Sequence, residues 1–172
     1  MKKDSAFTGL EAAIVLIAFV VVAAVFSYVM LGAGFFATQK SQEVTYAGMK
    51  QSTSNIILDG QLYGSMNAGG TSMTALTFYI KVPEAGETQD LKYVTYLWTK
   101  ENLEVQELAS TGITPDTGKL NPGGRKKVTL TVPNGNLPGA GERFTLEIKP
   151  KTGAATLISR TLADGYNGGI II

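Results

Sequence analysis

The sequence predicts an α+β chain in which a long, hydrophobic N-terminal α-helix precedes an antiparallel β-rich domain. Residues 12–36 carry no charged side chain over 25 consecutive positions. From about residue 59 onward, short runs alternate apolar and polar side chains, and Gly, Pro and Asn separate these runs. The first pattern is typical of a helix surrounded by lipid or by other helices. The second is typical of a sandwich or barrel built from short strands.

Composition narrows the functions open to the chain. It has 172 residues, of which 44% are hydrophobic and 17% charged, whereas about a quarter of residues are charged in soluble domains. The length fits one globular domain and one hydrophobic segment. The absence of Cys and His excludes thiol nucleophiles, disulfides, Cys/His zinc sites and Ser-His-Asp triads. A net charge of +1 argues against a nucleic-acid binder, which usually carries a basic stripe.

The apolar block allows three membrane interpretations. An ordinary signal peptide has an apolar core of only about 7–15 residues, so this block is too long despite the basic flank Lys2-Lys3. A plain N-terminal membrane anchor is the interpretation that composition alone favours. The third is a segment that lies in a membrane first and in a protein assembly later. Three details favour this last interpretation.

The first detail is Glu11, at the start of the apolar block. A carboxylate near the membrane core is costly and usually marks a function, although Glu11 could also cap the segment at the headgroup level. The second detail is the Ala and Gly residues spread through the block, which let helix backbones approach closely. The third is that residues 37–60 contain no Pro. One helix over residues 7–58, about 78 Å long at ~1.5 Å per residue, is therefore predicted.

The first residues of this helix resemble a known family. Phe7-Thr8-Gly9-Leu10-Glu11 resembles the start of mature type IV pilins. The rest of the block, with GFFATQKSQEVTYAG after it, is more similar to archaellins, the archaeal flagellins. Many archaellins lack the Glu at this position, so Glu11 follows the pilin pattern.

The resemblance implies cleavage by a prepilin-type peptidase between Ala6 and Phe7, which removes residues 1–6 as a class III leader. The family usually has Gly before the cut, where this chain has Ala6. Glu11 then occupies the fifth mature position, where the resemblance implies that it neutralises the amino terminus of a neighbouring subunit. A carboxylate and an amine in an apolar bundle must pair or be neutralised.

The resemblance also implies that the helix packs in the core of a filament. A helix that is hydrophobic on every face must be buried on every face, and a head-to-tail contact that does not close on itself gives a helical polymer. The predicted core-packing residues are large apolar side chains distributed along the block: Ile14, Leu16, Phe19, Val22, Phe26, Met30 and Phe35.

The second part of the chain, residues 59–172, is predicted to form seven or eight strands. Alternation is clearest at Leu76, Phe78 and Ile80, at Val128, Leu130 and Val132, and at Phe144, Leu146 and Ile148. Residues 93–98, 155–158 and 170–172 are further predicted strands. The resemblance implies that this sandwich is immunoglobulin-like and forms the outer wall of the filament.

Three polar clusters are weaker candidates for chemistry. Residues 121–127, Asn-Pro-Gly-Gly-Arg-Lys-Lys, could contact nucleic acid or anionic lipid, but a solvated loop is the more common use of such a segment. Asp164, Tyr166 and Asn167 could offer oxygen ligands to a cation, although their spacing is not that of an EF-hand loop. Glu101, Glu104 and Glu107 recur every three residues and are expected to lie on an exposed surface or a strand edge.

The function implied by the resemblance is that of a structural subunit of the archaellum, the rotating swimming filament. Such a chain is not an enzyme and needs no cofactor. Its partners would be other copies of itself, a prepilin-type peptidase, the archaellum export and motor machinery and, before assembly, the cytoplasmic membrane, with no nucleic acid. The mature protein would lie in an extracellular filament. The alternatives are an archaeal adhesion pilin and, from another class, a membrane-anchored β-sandwich that binds a ligand.

Overall fold

A computed structural model describes residues 4–101 and 103–171 of the chain. One helix, α1, spans Asp4–Thr53 and has 50 residues, which corresponds to about 75 Å. It ends five residues before the predicted boundary at residue 58. The physical reason is long-range pairing, because Ile57 and Leu58 pair with Lys81 and Ile80 of a distant strand. Part of the predicted leader, residues 1–3, lies outside the described residues.

The chain divides into two compact units, residues 1–47 and residues 48–172. The first unit consists of helix α1 up to Ala47. The second contains the last helical residues, 48–53, together with all the described strands. The end of the helix therefore belongs to the β-rich unit.

The described part of the second unit contains short strands in three sheets. All named strand pairs are antiparallel, as predicted. The strands are β1 (Ile57–Leu58), β2 (Leu62–Met66), β3 (Met73–Lys81), β4 (Gln89–Asp90), β5 (Thr95–Lys100), β6 (Gln106–Glu107), β7 (Ile113–Thr114), β8 (Lys119–Leu120), β9 (Arg125–Thr131), β10 (Arg143–Lys149), β11 (Thr156–Thr161) and β12 (Gly169–Ile171).

Two larger sheets account for most of these strands. The first has the order β12-β2-β3-β9-β7, with β1 added against β3, and the second has the order β11-β10-β5-β6. Strands β4 and β8 form a separate pair. The predicted alternation at Leu76–Ile80 and Phe144–Ile148 places these side chains in the buried core.

One hydrophobic core contains residues from both large sheets. Phe78 and Leu130 come from the first sheet, and Trp98 and Phe144 come from the second. The rings of Trp98 and Phe144 stack with centroids 4.8 Å apart. The indole N–H of Trp98 donates to the carbonyl oxygen of Asn136 at 3.1 Å, so its polar atom is satisfied inside the core.

The predicted strand at residues 93–98 begins later than expected. Residues Leu91–Tyr93 form a 3₁₀ turn, and β5 starts at Thr95. The carboxylate of Asp90 accepts a hydrogen bond from the backbone N–H of Lys92, which caps the turn. Local capping therefore overrides the β propensity of Tyr93 and Val94.

Candidate functional site

The large apolar side chains of helix α1 are exposed in the isolated chain. From Leu10 to Phe36, every Leu, Ile, Val, Phe, Tyr and Met side chain of the helix is at least half exposed. The helix is long and apolar enough to cross a membrane by length and composition. A contiguous apolar surface of this size marks a membrane or protein contact. The exposed part of α1 is therefore the strongest candidate functional surface among the described residues.

The seven predicted packing residues do not share one face. Phe19, Val22, Phe26 and Met30 follow a spacing of three or four residues and form one stripe along α1, because a helix repeats every ~3.6 residues. Leu16, three positions before Phe19, borders this stripe, whereas Ile14 and Phe35 point to other sides. All seven are exposed, with Phe19 at 72%. The arrangement suits a helix covered on several sides rather than along one seam.

Glu11 is the one charged residue between residues 5 and 39. Its side chain is exposed and lines a shallow depression on one side of α1 together with Val15, Leu16 and Phe19. The carboxylate therefore lies directly beside large apolar side chains. In a water-excluded environment, such a carboxylate requires a cationic or hydrogen-bonding partner.

The predicted cleavage position lies at the beginning of α1. The helix starts at Asp4, so the peptide bond between Ala6 and Phe7 falls in its first turn. The side chains of these two residues lie outside the described part of the structure.

Helix α1 changes character at Thr38. The hydroxyl of Thr38 donates to the carbonyl oxygen of Gly34 at 2.9 Å, and Lys40 forms an ion pair with Glu43 at 2.6 Å. Both Lys40 and Glu43 are exposed, and an exposed pair of this kind contributes little to stability. The pair marks the position along α1 where the helix surface changes from apolar to charged and becomes suited to water.

The sequence did not predict a buried group of hydrogen bonds at the end of α1, formed around Ser54 and Gln89 and called here the Ser54 joint. The fully buried Ser54 follows the helix, and its hydroxyl accepts a hydrogen bond from the backbone N–H of Glu87 at 3.0 Å. The side-chain amide of the buried Gln89 donates to the carbonyl oxygens of Ser54 at 2.9 Å and Thr152 at 3.0 Å. Lys50, in the last helical turn, pairs with Glu87 at 2.6 Å.

Gly153 lets the chain approach this joint closely. Its φ of +113° lies in the region that favours glycine, and an added Cβ would lie 2.5 Å from the carbonyl oxygen of Ser54, so any side chain would clash with backbone. The Thr-Gly pair at residues 152–153 indicates a turn in the sequence. Its contact with residue 54 could not be predicted, because the two segments are about a hundred positions apart.

The fold accounts for one member of each of two other polar clusters. In the basic segment 121–127, Arg125 pairs with Asp59 at 2.8 Å and lies over the ring of Tyr79 at 3.9 Å. The phenol oxygen of Tyr166 accepts from the backbone N–H of Gly64 and donates to the carbonyl oxygen of Gly169 at 2.7 Å. These two hydrogen bonds connect the segment around Tyr166 to β2 and β12, and burial raises the pKa of the phenol further above its ordinary value.

Comparison with known proteins matches residues 6–160 to the family described as archaeal-type flagellin. The probable flagellin 2 of Archaeoglobus fulgidus is 36% identical, with 96% of this chain and 93% of that protein covered. The structure of the archaeal flagellum of Methanospirillum hungatei strain JF1 is 73% identical with a TM-score of 0.80, covering 95% of this chain and 99% of that chain. The crystal structure of archaeal flagellin FlaB1 from Methanocaldococcus jannaschii has a TM-score of 0.57 at 12% identity, covers 67% of this chain and 95% of that chain, and shows similarity of fold alone.

Proposed function

This chain belongs to the archaeal-type flagellin family and is a structural subunit of an extracellular flagellar filament, and from that premise we propose how its helix serves assembly. The helix first lies in the cytoplasmic membrane as part of a precursor and then packs against identical helices in the filament core. The observation that carries this proposal is the all-round exposure of large apolar side chains on α1. Lipid and a helix bundle both cover such a surface.

The two environments differ in what they offer to Glu11. In a bilayer, the carboxylate lies near one end of the apolar run and can reach the headgroup region. In a bundle without water, it needs a partner of opposite charge, and a new amino terminus at Phe7 of a neighbouring subunit supplies one. We assign Glu11 the role of fixing how far one helix is displaced along the next.

The match to the archaeal-type flagellin family supports the remaining proposed roles. A prepilin-type peptidase cuts between Ala6 and Phe7, and the large apolar side chains from Ile14 to Phe35 pack in the core. The β-rich unit lies on the outer wall, and the archaellum export and motor machinery adds subunits and rotates the filament. The chain itself carries out no catalysis and works without a cofactor or nucleic acid.

Mass spectrometry of purified filaments tests the processing step. We expect the first residue of the subunit to be Phe7, with residues 1–6 absent. An intact Met1, or a start near residue 34, would show that the helix does not enter the filament by prepilin-type cleavage.

Removal of this chain from cells distinguishes a swimming filament from an adhesion pilus. If the cells lose filaments and swimming but keep surface adhesion, the swimming filament is favoured.

A Glu11→Ala variant tests the proposed role of the carboxylate. We expect normal cleavage but a filament yield lower by about tenfold or more, since an unpaired terminal amine in the core costs more than ~1.4 kcal/mol. Filament mass sheared from cells and the mature amino terminus would be measured together. The matched control is Glu43→Ala, which removes a carboxylate from the water-suited part of the same helix. Equal yields for Glu11→Ala and Glu43→Ala would rule out the assigned role.

A further inference from the structure

Two surface features of the β-rich unit have opposite charge, and within the described residues all of their charged side chains except Arg125 lack an ion pair. The first, the basic face, is the outward side of strands β3 and β9 and consists of Tyr79, Lys81, Arg125 and Lys127. The second, the acidic hairpin, joins β5 to β6 and presents Glu101, Glu104 and Glu107. The two features belong to different sheets.

The basic face combines charge with an aromatic ring. Tyr79 lies directly opposite Lys127, and Lys81 lies opposite Arg125, in the register of β3 and β9. Arg125 is compensated by its ion pair with Asp59 and stacks on Tyr79. Within the described residues, Lys81 and Lys127 form no ion pair, so the face carries two uncompensated cations beside an aromatic surface.

The acidic hairpin combines charge with exposed apolar side chains. Leu103 is 48% exposed and Val105 is 61% exposed. Glu101, Glu104 and Glu107 have no ion pair in the part of the chain that the structure describes. The nearby Lys100 cannot compensate them, because it pairs with Glu142 at 2.7 Å. The backbone N–H of Gly139 and Lys100 hold the pKa of Glu142 below its usual range, so that pair stays ionised.

Hydrogen bonds hold the described hairpin residues on both sides of position 102. The backbone N–H of Glu101 donates to the carbonyl oxygen of Arg143 at 2.9 Å. The backbone N–H of Leu103 donates to the carbonyl oxygen of Lys100 at 2.9 Å. The hydroxyl of Thr99 donates to the carbonyl oxygen of Leu103 at 2.8 Å. Residues held in this way lose less conformational freedom when they bind, which favours a docking role.

We propose that the acidic hairpin of one subunit docks on the basic face of a second copy of this chain in the filament. The carboxylates meet Lys81 and Lys127, and the exposed apolar side chains of the hairpin pack beside Tyr79 and the guanidinium of Arg125 that lies over its ring. Because the two surfaces are different parts of the same molecule, the contact is heterologous and can repeat without closing. The proposal rests on the outer position of the β-rich unit proposed above.

Charge reversal on each side tests this docking in cells whose filaments contain only the variant chain. We expect Glu104→Lys with Glu107→Lys, and separately Lys81→Glu with Lys127→Glu, to lower filament yield by about tenfold or more, because like charges then face each other. The chain carrying all four changes should regain most of the yield, since the attraction is restored with inverted sign. Lys149→Glu, an exposed reversal on β10, is the control and should leave the yield unchanged.

Thermal unfolding of each unassembled subunit shows whether a variant still folds. If a reversed pair unfolds, Glu104→Gln with Glu107→Gln replaces it, with a several-fold lower yield expected. Normal yield from both reversed pairs, or failure of the folded fourfold variant to regain filaments, would overturn the docking. Measuring Glu11→Ala in the same experiment separates the two proposals. If Glu11→Ala loses filaments while the charge-reversed variants keep a normal yield, only the docking is rejected. Normal filaments from all the variants would reject both the docking and the role assigned to Glu11.

Discussion

A Val22→Asp variant should abolish filament formation. Val22 lies in the stripe with Phe19, Phe26 and Met30 and is exposed in the isolated chain. The substitution places a carboxylate near the middle of the uncharged run, where a bilayer penalises a charge by about 2.5–3.5 kcal/mol by insertion scales. A helix bundle without a cationic partner penalises it further. We therefore expect at least a hundredfold loss of filament mass, measured by shearing and electron microscopy.

The same substitution at Val44 is the matched control. Val44 lies in the same helix with nearly the same exposure, 69% against 66% for Val22, but its neighbours include the ion pair between Lys40 and Glu43. We expect Val44→Asp to reduce filament mass far less than Val22→Asp. If the two variants behave alike, the apolar run is not the core contact, and the division of the helix at Thr38 has no role in assembly.

The second large effect is expected from Trp98→Ala in the β-rich unit. Trp98 is fully buried, stacks on Phe144 and donates to the carbonyl of Asn136. Its truncation leaves a large cavity and an unsatisfied carbonyl, and replacing a buried Trp by Ala lowers the free energy of unfolding by about 3–5 kcal/mol. That is a large fraction of the about 5–15 kcal/mol by which a domain is stable.

Calorimetry of the unassembled subunit in detergent measures this effect, because its unfolding transition does not depend on the signal of the single Trp. Leu157→Ala on β11 is the control because Leu157 is 66% exposed, and a surface truncation usually changes stability by about 0.5 kcal/mol or less. A Trp98→Ala subunit that melts at the same temperature as the control would mean that the stacked pair does not anchor the core.

The features predictable from the sequence were those that depend on local pattern. The uncharged run from residue 12 to residue 36 needs no tertiary information to be identified as a helix for an apolar environment. Alternation at Leu76–Ile80 and at Phe144–Ile148 likewise marks strands whose inward side chains form the core. In each case one physical term, burial of apolar surface, dominates the outcome.

The features that escaped prediction depend on contacts between distant segments. The helix ends at Thr53 because Ile57 and Leu58 find partners in β3, and no residue near position 53 signals this. Gln89 resembles any polar residue in a loop, yet it is buried and bonded to two backbone carbonyls. Local capping by Asp90 delays β5, a competition between a turn and a strand that propensity alone does not decide.

The hydrogen bonds of the Ser54 joint connect distant segments, and this has a consequence for the order of folding. Its hydrogen bonds join Ser54 to Gln89 and Gln89 to Thr152, and closing chain segments of this length has a substantial entropic cost that only formed contacts can offset. We expect the apolar helix to form early from local bonds, and its C-terminal end to be locked only after the last third of the chain has folded. A subunit interrupted during synthesis would thus have a complete helix but no fixed attachment for it.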